Sequence, residues 1–490
     1  MGDDSSLSGT DSPPSAHPPA TVDSTRAVQL STAFTVLMAL VLAGGMAFLV
    51  WLQMTIPPLD RVAFPERALF LMVSQTLDVE EAIAHAPAWE RLLYQLTTDN
   101  GSSDLNQAIA WYRELSRVTF NPEIHLQRAT LEAEAGHLEE VRQEVAEWDN
   151  REVPFPLYAR LIYAAYLDRK VDRAVADALQ AELADALPSG WFYTKLAMRL
   201  AERSGDESRT HTIRAEWDGR VMPLLERVRL LTAIELGIML IGLVALALPL
   251  RGRHPYTVST APLPPLWRGR VGVAVLIRGA ALGLLLSVAV LLWETHSLLL
   301  RLLSIPLAGL PLLALTRQYL LAPYGLGFVG GFGLVPLRGG WLRLVTAALA
   351  VLAIGLVGEW GLGQLAEWWG VSSHWTEWFD ADLAWGSVPE VMVSLLEFIV
   401  LAPLFEEVAF RGVLFGTLRK KFSWKSSAVL SAGIFALAHG YGVLGFISVF
   451  WSGMLWAWIY EKTGSLLPSM FAHAANNLLV CLSILYLLRA

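Results

Sequence analysis

The sequence predicts an all-α fold: a polytopic transmembrane bundle of about eight helices plus an N-terminal anchor helix, with an inserted soluble helical domain. The chain has 490 residues, of which 54% are hydrophobic and 17% are charged, whereas soluble domains carry about 25% charged residues. The apolar residues are concentrated in two parts of the chain, 32–54 and 229–488. Between them, residues 56–228 are charged and show the apolar spacing of amphipathic helices.

The first 55 residues contain two unlike segments. Residues 1–30 are rich in Ser, Asp, Pro and Thr and predict a disordered cytoplasmic tail. Residues 31–55 include an uncharged run that is long enough to cross about 30 Å of hydrocarbon at about 1.5 Å per residue. The run is too long and begins too late for a cleaved signal peptide, so we interpret it as a transmembrane anchor.

Residues 56–228 predict a helical domain that resembles tetratricopeptide repeats. Ala-rich helical segments are followed by turn-like positions at Gly136, at 168–170 and at Gly205, and a spacing of roughly 34 residues is the period of these helix pairs. The full repeat signature is absent, so an irregular all-helical domain is the alternative. Stacked helix pairs form concave surfaces, and we therefore expect a protein or peptide partner for this domain.

Residues 229–490 predict the membrane bundle. The apolar runs lie near 229–250, 271–293, 298–321, 342–363, 391–416, 427–440, 443–460 and 465–488. The run 427–440 is short and ends in glycine, so we expect it to cross only part of the bilayer.

The distribution of charged residues predicts the orientation of the bundle. Loops 251–270 and 417–426 are basic, whereas segment 364–390 is acidic and carries five tryptophans. Basic loops stay in the cytoplasm and tryptophans favour the membrane interface. We therefore expect a multi-pass protein of a bacterial plasma membrane, with residues 56–228 on the extracytoplasmic side.

Charge and cysteine content exclude several classes of function. A net charge of −8 gives no chain-wide attraction for nucleic acid. The single cysteine, Cys481, excludes an intramolecular disulfide framework and a metal site built from several cysteines.

A few ionisable groups interrupt the last apolar runs, where such groups are costly and mark functional sites. Glu407 and Arg411 are four residues apart, so they share a helix face and can form an ion pair. Glu406 points about 100° away from Glu407 and is free for another partner. His473 and Asn477 also share one helix face.

These groups are predicted to lie at a similar depth. Glu406 and His439 are each 14 residues from a lysine of loop 417–426, and His473 is 11 residues from Lys462. At about 1.5 Å per residue these separations are about 21 Å and about 17 Å. We therefore expect a catalytic site in the cytoplasmic half of the membrane.

Such a set of side chains supports hydrolysis. A carboxylate facing an imidazole can hold and deprotonate water, and a second imidazole with a carboxamide can stabilise an oxyanion. Two histidines and one glutamate could also bind zinc with an open position. The His-Glu-x-x-His motif is absent, so zinc stays open without being favoured, and we assign neither a metal ligand nor a firm cofactor.

Three motifs carry a family resemblance. The segments EEVAFR (406–411), FALAH (435–439) and HAANN (473–477) occur in this order on three predicted spans. Together they closely resemble the CPBP family of intramembrane proteases, which includes the type II CAAX prenyl endopeptidases and bacteriocin-processing or self-immunity proteins. The resemblance covers 390–488, with 229–488 as an eight-helix protease domain.

The resemblance implies an endopeptidase that cuts protein or peptide substrates associated with the lipid bilayer. It implies that Glu406 activates water with His439, that His473 and Asn477 form the oxyanion hole, and that Glu407 with Arg411 supports the site. The family is often called metalloprotease, yet the resemblance implies a glutamate-dependent mechanism without an essential metal. A non-proteolytic scaffold or immunity factor, and a proton-coupled transporter, are the alternatives.

Overall fold

The computed structural model describes residues 30–97, 104–247, 257–293 and 297–489. Within these ranges the chain forms helices and no strand, which confirms the all-α prediction. The predicted tail, residues 1–29, and residues 251–256 of the first basic loop lie outside the described ranges.

Ten helices precede the second apolar part of the chain or lead into it. They are α1 (Thr32–Thr55), α2 (Pro65–Ala84), α3 (Ala88–Thr97), α4 (Asp104–Leu115), α5 (Pro122–Glu134), α6 (Leu138–Trp148), α7 (Phe155–Ile162), α8 (Arg173–Ala186), α9 (Trp191–Ser204) and α10 (Glu207–Ala247).

Nine helices follow. They are α11 (Gly269–Leu291), α12 (Leu298–Leu315), α13 (Phe328–Phe332), α14 (Trp341–Trp368), α15 (Ala381–Trp385), α16 (Val388–Leu418), α17 (Trp424–His439), α18 (Val443–Thr463) and α19 (Leu467–Leu488).

Eight of the described helices are long and apolar enough to cross a membrane: α1, α10, α11, α12 with its extension to Tyr324, α14, α16, α18 and α19. The predicted short run 427–440 corresponds to α17, which has 16 residues and is followed by the C-cap Gly440 with φ +67°. Its length of about 24 Å is less than the hydrocarbon thickness of about 30 Å.

The long helix α10 joins the membrane bundle to the preceding helices without a break. It has 41 residues, and the predicted boundary at residue 228 lies inside it. Its first half packs on α2 and α9, where Trp217 donates to buried Asp78 over 2.9 Å, and its second half packs on α14. Because α10 is continuous, it holds the preceding helices in a fixed position relative to the membrane bundle.

Residues 56–228 form successive helices that pack on their neighbours, α4 on α5, α6 on α7 and α8 on α9. The predicted turns at Gly136 and Gly205 are present, and both glycines have positive φ, 86° and 71°. Kinship with tetratricopeptide repeats stays a prediction. We call this part the helical domain.

Residues 371–386, which we call the strap, join α14 to α16 at the end of the bundle that faces the helical domain. Trp375 and Leu383 of the strap are fully buried in the core of that domain. His374 Nε2 lies 3.1 Å from Glu114 Oε2. An interfacial location is therefore wrong for Trp375, because the helical domain covers it, whereas Trp368 on α14 is 78% exposed.

The basic loop 417–426 lies at the opposite end of the bundle. Helix α19 runs from this basic end to the strap end, where Arg489 Nη2 donates to Gly386 O over 2.7 Å. Within the bundle, α11 and α12 approach closely because Gly283 faces the Ala308 carbonyl without a Cβ.

Candidate active site

A cavity of about 680 Å³ lies within the bundle and extends to the strap. The four predicted catalytic side chains all line it, although they come from α16, α17 and α19: Glu406, His439, His473 and Asn477. The structure therefore brings together the residues that the three motifs place far apart in sequence.

Glu406 lies on α16 between two stretches of wide π-helical turns, Glu397–Leu401 and Glu407–Phe415. Pro403 has no backbone N–H and cannot complete a regular turn, which accounts for the wide turns before it. Such turns often occur at functional sites because they redirect side chains locally. Here they flank the carboxylate that faces the cavity.

Glu407 and Arg411 form the expected ion pair, with Arg411 Nη1 donating to Glu407 Oε1 over 2.9 Å. Neither side chain is exposed. The guanidinium also lies over two aromatic rings, 4.1 Å from the centre of Phe435 and 4.9 Å from that of Trp456. The pair is enclosed by protein, so each charge depends on the other for compensation.

His473 connects this pair to Glu406. Its Nδ1 lies 3.2 Å from Glu407 Oε1, and since a carboxylate only accepts, Nδ1 carries the proton. Its Nε2 faces Glu406 Oε2 at 3.8 Å. The imidazole stacks on Trp456 with 3.9 Å between ring centres. The ring is thus fixed by one carboxylate and one indole, and its second nitrogen points to the other carboxylate.

His439 ends α17, and its Nδ1 lies 2.8 Å from Phe435 O. A carbonyl oxygen only accepts hydrogen bonds, so Nδ1 is the protonated nitrogen. In the neutral ring Nε2 then carries a lone pair. His439 can therefore accept a hydrogen bond from a water molecule in the cavity.

Asn477 is fixed by α16, because its Nδ2 donates to Phe398 O over 2.8 Å. An amide nitrogen has two hydrogens, and this bond uses one of them. Asn476 also lines the cavity. Asn477 thus keeps a donor beside the other three side chains.

The sequence reasoning missed Glu359 on α14, which lines the same cavity. Its Oε1 accepts from Ser452 Oγ over 3.2 Å and from Ser448 Oγ over 3.4 Å, both on α18. The available signal was an acidic residue within the apolar run 342–363. That run carries no motif, so nothing linked it to Glu406.

The cavity reaches the strap, whose Glu377, Trp378 and Asp380 line its outer part. Its acidic side chains are Glu359, Glu377, Asp380 and Glu406, and among the described residues no Lys or Arg lines it. The expected position of the site in the cytoplasmic half of the membrane stays a prediction.

The cavity contains side-chain types that can bind a metal ion, two histidines and several carboxylates. Across the described ranges, no group of three His, Cys, Asp or Glu side chains is arranged to hold a metal ion. We therefore assign no metal ligand, and the chemistry below uses protein groups and water.

The C-terminal part of the chain is similar to a known protein family. Residues 388–479 match the family model described as Type II CAAX prenyl endopeptidase Rce1-like. We call residues 388–479 the Rce1-like region. This region contains all of α16, α17 and α18 and part of α19, and all six predicted site residues fall within it.

One curated relative of the chain is an "Uncharacterized 24.3 kDa protein" of Escherichia coli. It is 30% identical over 91 residues, which are 18% of this chain and 42% of the relative. The chain therefore spans less than half the length of that relative. No solved structure matches the chain.

Proposed function

We propose that the protein is an intramembrane endopeptidase of the CAAX-protease type that hydrolyses peptide bonds of membrane-associated substrates. One observation carries the proposal: a carboxylate, two imidazoles and a carboxamide from three helices line a single cavity among membrane-spanning helices. The cost of placing ionisable groups in such a setting favours a catalytic role over a structural one.

In the proposed first step, a water molecule is held between Glu406 and His439 Nε2. Glu406 removes one proton from this water, and the resulting hydroxide adds to the carbonyl carbon of the scissile peptide bond. A positioned base of this kind contributes about 100-fold to 10,000-fold to a rate. The Nδ1 bond to Phe435 O orients the His439 ring for this task.

The tetrahedral intermediate places its negative oxygen beside Asn477 and His473. Its donors are the second hydrogen of Asn477 Nδ2 and the Nε2–H of His473, which requires the doubly protonated ring, with the Nδ1–H still on Glu407. Glu406 then gives its proton to the leaving nitrogen, and the carbon–nitrogen bond breaks. The products are one new carboxyl group and one new amine, and Glu406 is regenerated.

Glu407 and Arg411 support this chemistry without touching the substrate. Glu407 fixes the Nδ1 proton of His473, and Arg411 compensates the charge of Glu407. Second partners of this kind set the tautomer and orientation of a catalytic histidine.

The proposed substrate is a protein or peptide segment that reaches the cavity from the bilayer or from the strap end. The acidic lining disfavours a substrate segment with acidic residues near the scissile bond. We further propose a bacterial plasma membrane location with the helical domain outside the cytoplasm. The basic loop 417–426 at the opposite end supports this orientation.

The proposal is tested by comparing new peptide N-termini in membranes of cells that produce wild-type protein or Glu406→Gln. The amide keeps the shape of the side chain but is no base. Substrates should yield N-termini that are present with wild type and absent with Glu406→Gln. Glu461→Gln is the matched control, because Glu461 pairs with Arg419 at the basic end, far from the cavity.

Three outcomes distinguish the candidate functions. Loss of the cleavage products in Glu406→Gln alone supports the endopeptidase. Identical N-termini in all three samples, with the protein present at equal abundance, overturn it in favour of a scaffold. Ion-driven uptake into proteoliposomes that is lost in Glu406→Gln, without cleavage, indicates a transporter.

A further inference from the structure

Two contacts of α10 mark the level at which the bundle leaves the membrane at the strap end. The apolar half of α10 starts directly after Arg229. Arg227 Nη1 donates to Arg489 O over 3.2 Å and to Tyr486 O over 3.4 Å, at the end of α19. Two membrane-spanning helices, α10 and α19, therefore reach the same boundary at residues 227–229.

Helix α3 is fixed at this level by a two-point ion pair. Arg229 Nε donates to Glu90 Oε1 over 2.6 Å, and Arg229 Nη2 donates to Glu90 Oε2 over 3.0 Å. Tyr94 of α3 packs on a small apolar cluster that includes Leu225 of α10. One face of α3 is thereby attached to α10 where α10 enters the bilayer.

The other face of α3 is apolar and exposed. Trp89 is 67% exposed and Leu92 is 56% exposed, and their spacing of three residues places them side by side. With about 100° per residue, this pair points away from the face that carries Glu90 and Tyr94. Arg91 is also exposed, and its Nη1 donates to Ala84 O over 3.3 Å.

We propose that α3 lies in the lipid headgroup region of the same bilayer and inserts Trp89 and Leu92 among the lipids. Tryptophan favours this interface because its ring is apolar while its N–H stays hydrated. Interfacial helices bury their apolar face to a depth of about 5–10 Å. The contact fixes the height of the helical domain above the membrane, independently of the proposed protease activity.

The test uses a fluorophore that responds to its surroundings, attached to a single cysteine of the full chain in liposomes. The background is Cys481→Ala, which removes the one native cysteine, and the reporter is Leu92→Cys. The matched control is Val175→Cys on α8, 51% exposed. Its neighbour Asp177 pairs with Arg209, which lies 20 residues before Arg229, about 30 Å along α10.

The label at residue 92 should lose fluorescence when the lipids carry a nitroxide on the headgroup, and much less when the nitroxide is at the acyl-chain end. The label at residue 175 should keep its fluorescence with both lipids. Trp89→Glu should reduce the quenching at residue 92. Equal behaviour of both labels would overturn the proposal. A label at 92 that is shielded from aqueous iodide but not quenched by the lipids would also overturn it, because a protein would then cover α3.

Discussion

Replacing Arg411 by Met tests whether its ion pair with Glu407 supports the site. Both side chains have zero exposure, so Arg411→Met leaves a carboxylate without compensation inside the bundle. Removing one partner of a buried pair costs about 3–5 kcal/mol in free energy of unfolding. The lost contacts with the Phe435 and Trp456 rings account for about 0.5–2 kcal/mol of this cost.

The second variant, Arg411→Met with Glu407→Gln, removes both charges. It therefore separates the cost of the uncompensated carboxylate from the cost of the lost contacts with the aromatic rings. The amide introduced by Glu407→Gln can still accept from His473 Nδ1 through its side-chain oxygen, so the histidine keeps a partner. We expect the double variant to be more stable than Arg411→Met, with a coupling free energy of about 2–3 kcal/mol. Replacing a whole buried pair is often close to neutral.

Urea unfolding of the purified protein in detergent, followed by helical circular dichroism, measures these differences. Arg160→Met is the control, because Arg160 is 59% exposed and its pair with Glu182 is expected to contribute less than about 1 kcal/mol. The reasoning is refuted if Arg411→Met loses no more stability than this control. It is also refuted if the double variant is as unstable as Arg411→Met.

Three further outcomes follow from other contacts. Burial raises the pKa of Glu134, but the hydrogen bonds from Arg199 at 2.8 and 2.9 Å and nearby positive charge outweigh it, so this pKa is lowered. Glu134→Gln should therefore cost about 1–2 kcal/mol at pH 7 by thermal unfolding, and the difference should shrink as the pH falls through the lowered pKa of Glu134 and the carboxylate is protonated; a constant difference would contradict this. Asn477→Ala should lower kcat about 100-fold to 1,000-fold with little change in KM, as expected for loss of one oxyanion donor; an unchanged kcat would remove Asn477 from the mechanism. Trp375→Ala should cost about 3–5 kcal/mol of local stability and speed amide hydrogen exchange in the strap, 371–386; unchanged exchange would show that the helical domain does not hold the strap.

The helical architecture follows from sequence because each membrane-spanning helix needs about 20 apolar residues, and that requirement is local. The similar depth of Glu406, His439 and His473 is likewise a consequence of helical rise counted from the lysines. Helical rise does not predict the direction in which the cavity extends, and the structure shows this direction. That direction depends on how α14 and the strap pack around the motif helices.

Long-range contacts explain the other differences. Trp375 lies in a tryptophan-rich segment typical of the membrane interface, yet it is buried because the helical domain, residues 56–228, packs on it. Glu359 lies on a helix without a motif and meets the site only through the packing of α14 on α18. His473 carries its motif, but its contact with Glu407 depends on how α16 packs against α19. None of these contacts has a signature in nearby sequence.

The most direct test measures cleavage of one identified substrate by purified protein in liposomes, with wild type, Glu406→Gln and Glu461→Gln compared at equal folded amounts. We predict that Glu406→Gln loses at least about 100-fold in kcat, whereas Glu461→Gln cleaves at the wild-type rate. Cleavage by Glu406→Gln at the wild-type rate would contradict the assignment of Glu406 as the group that activates water.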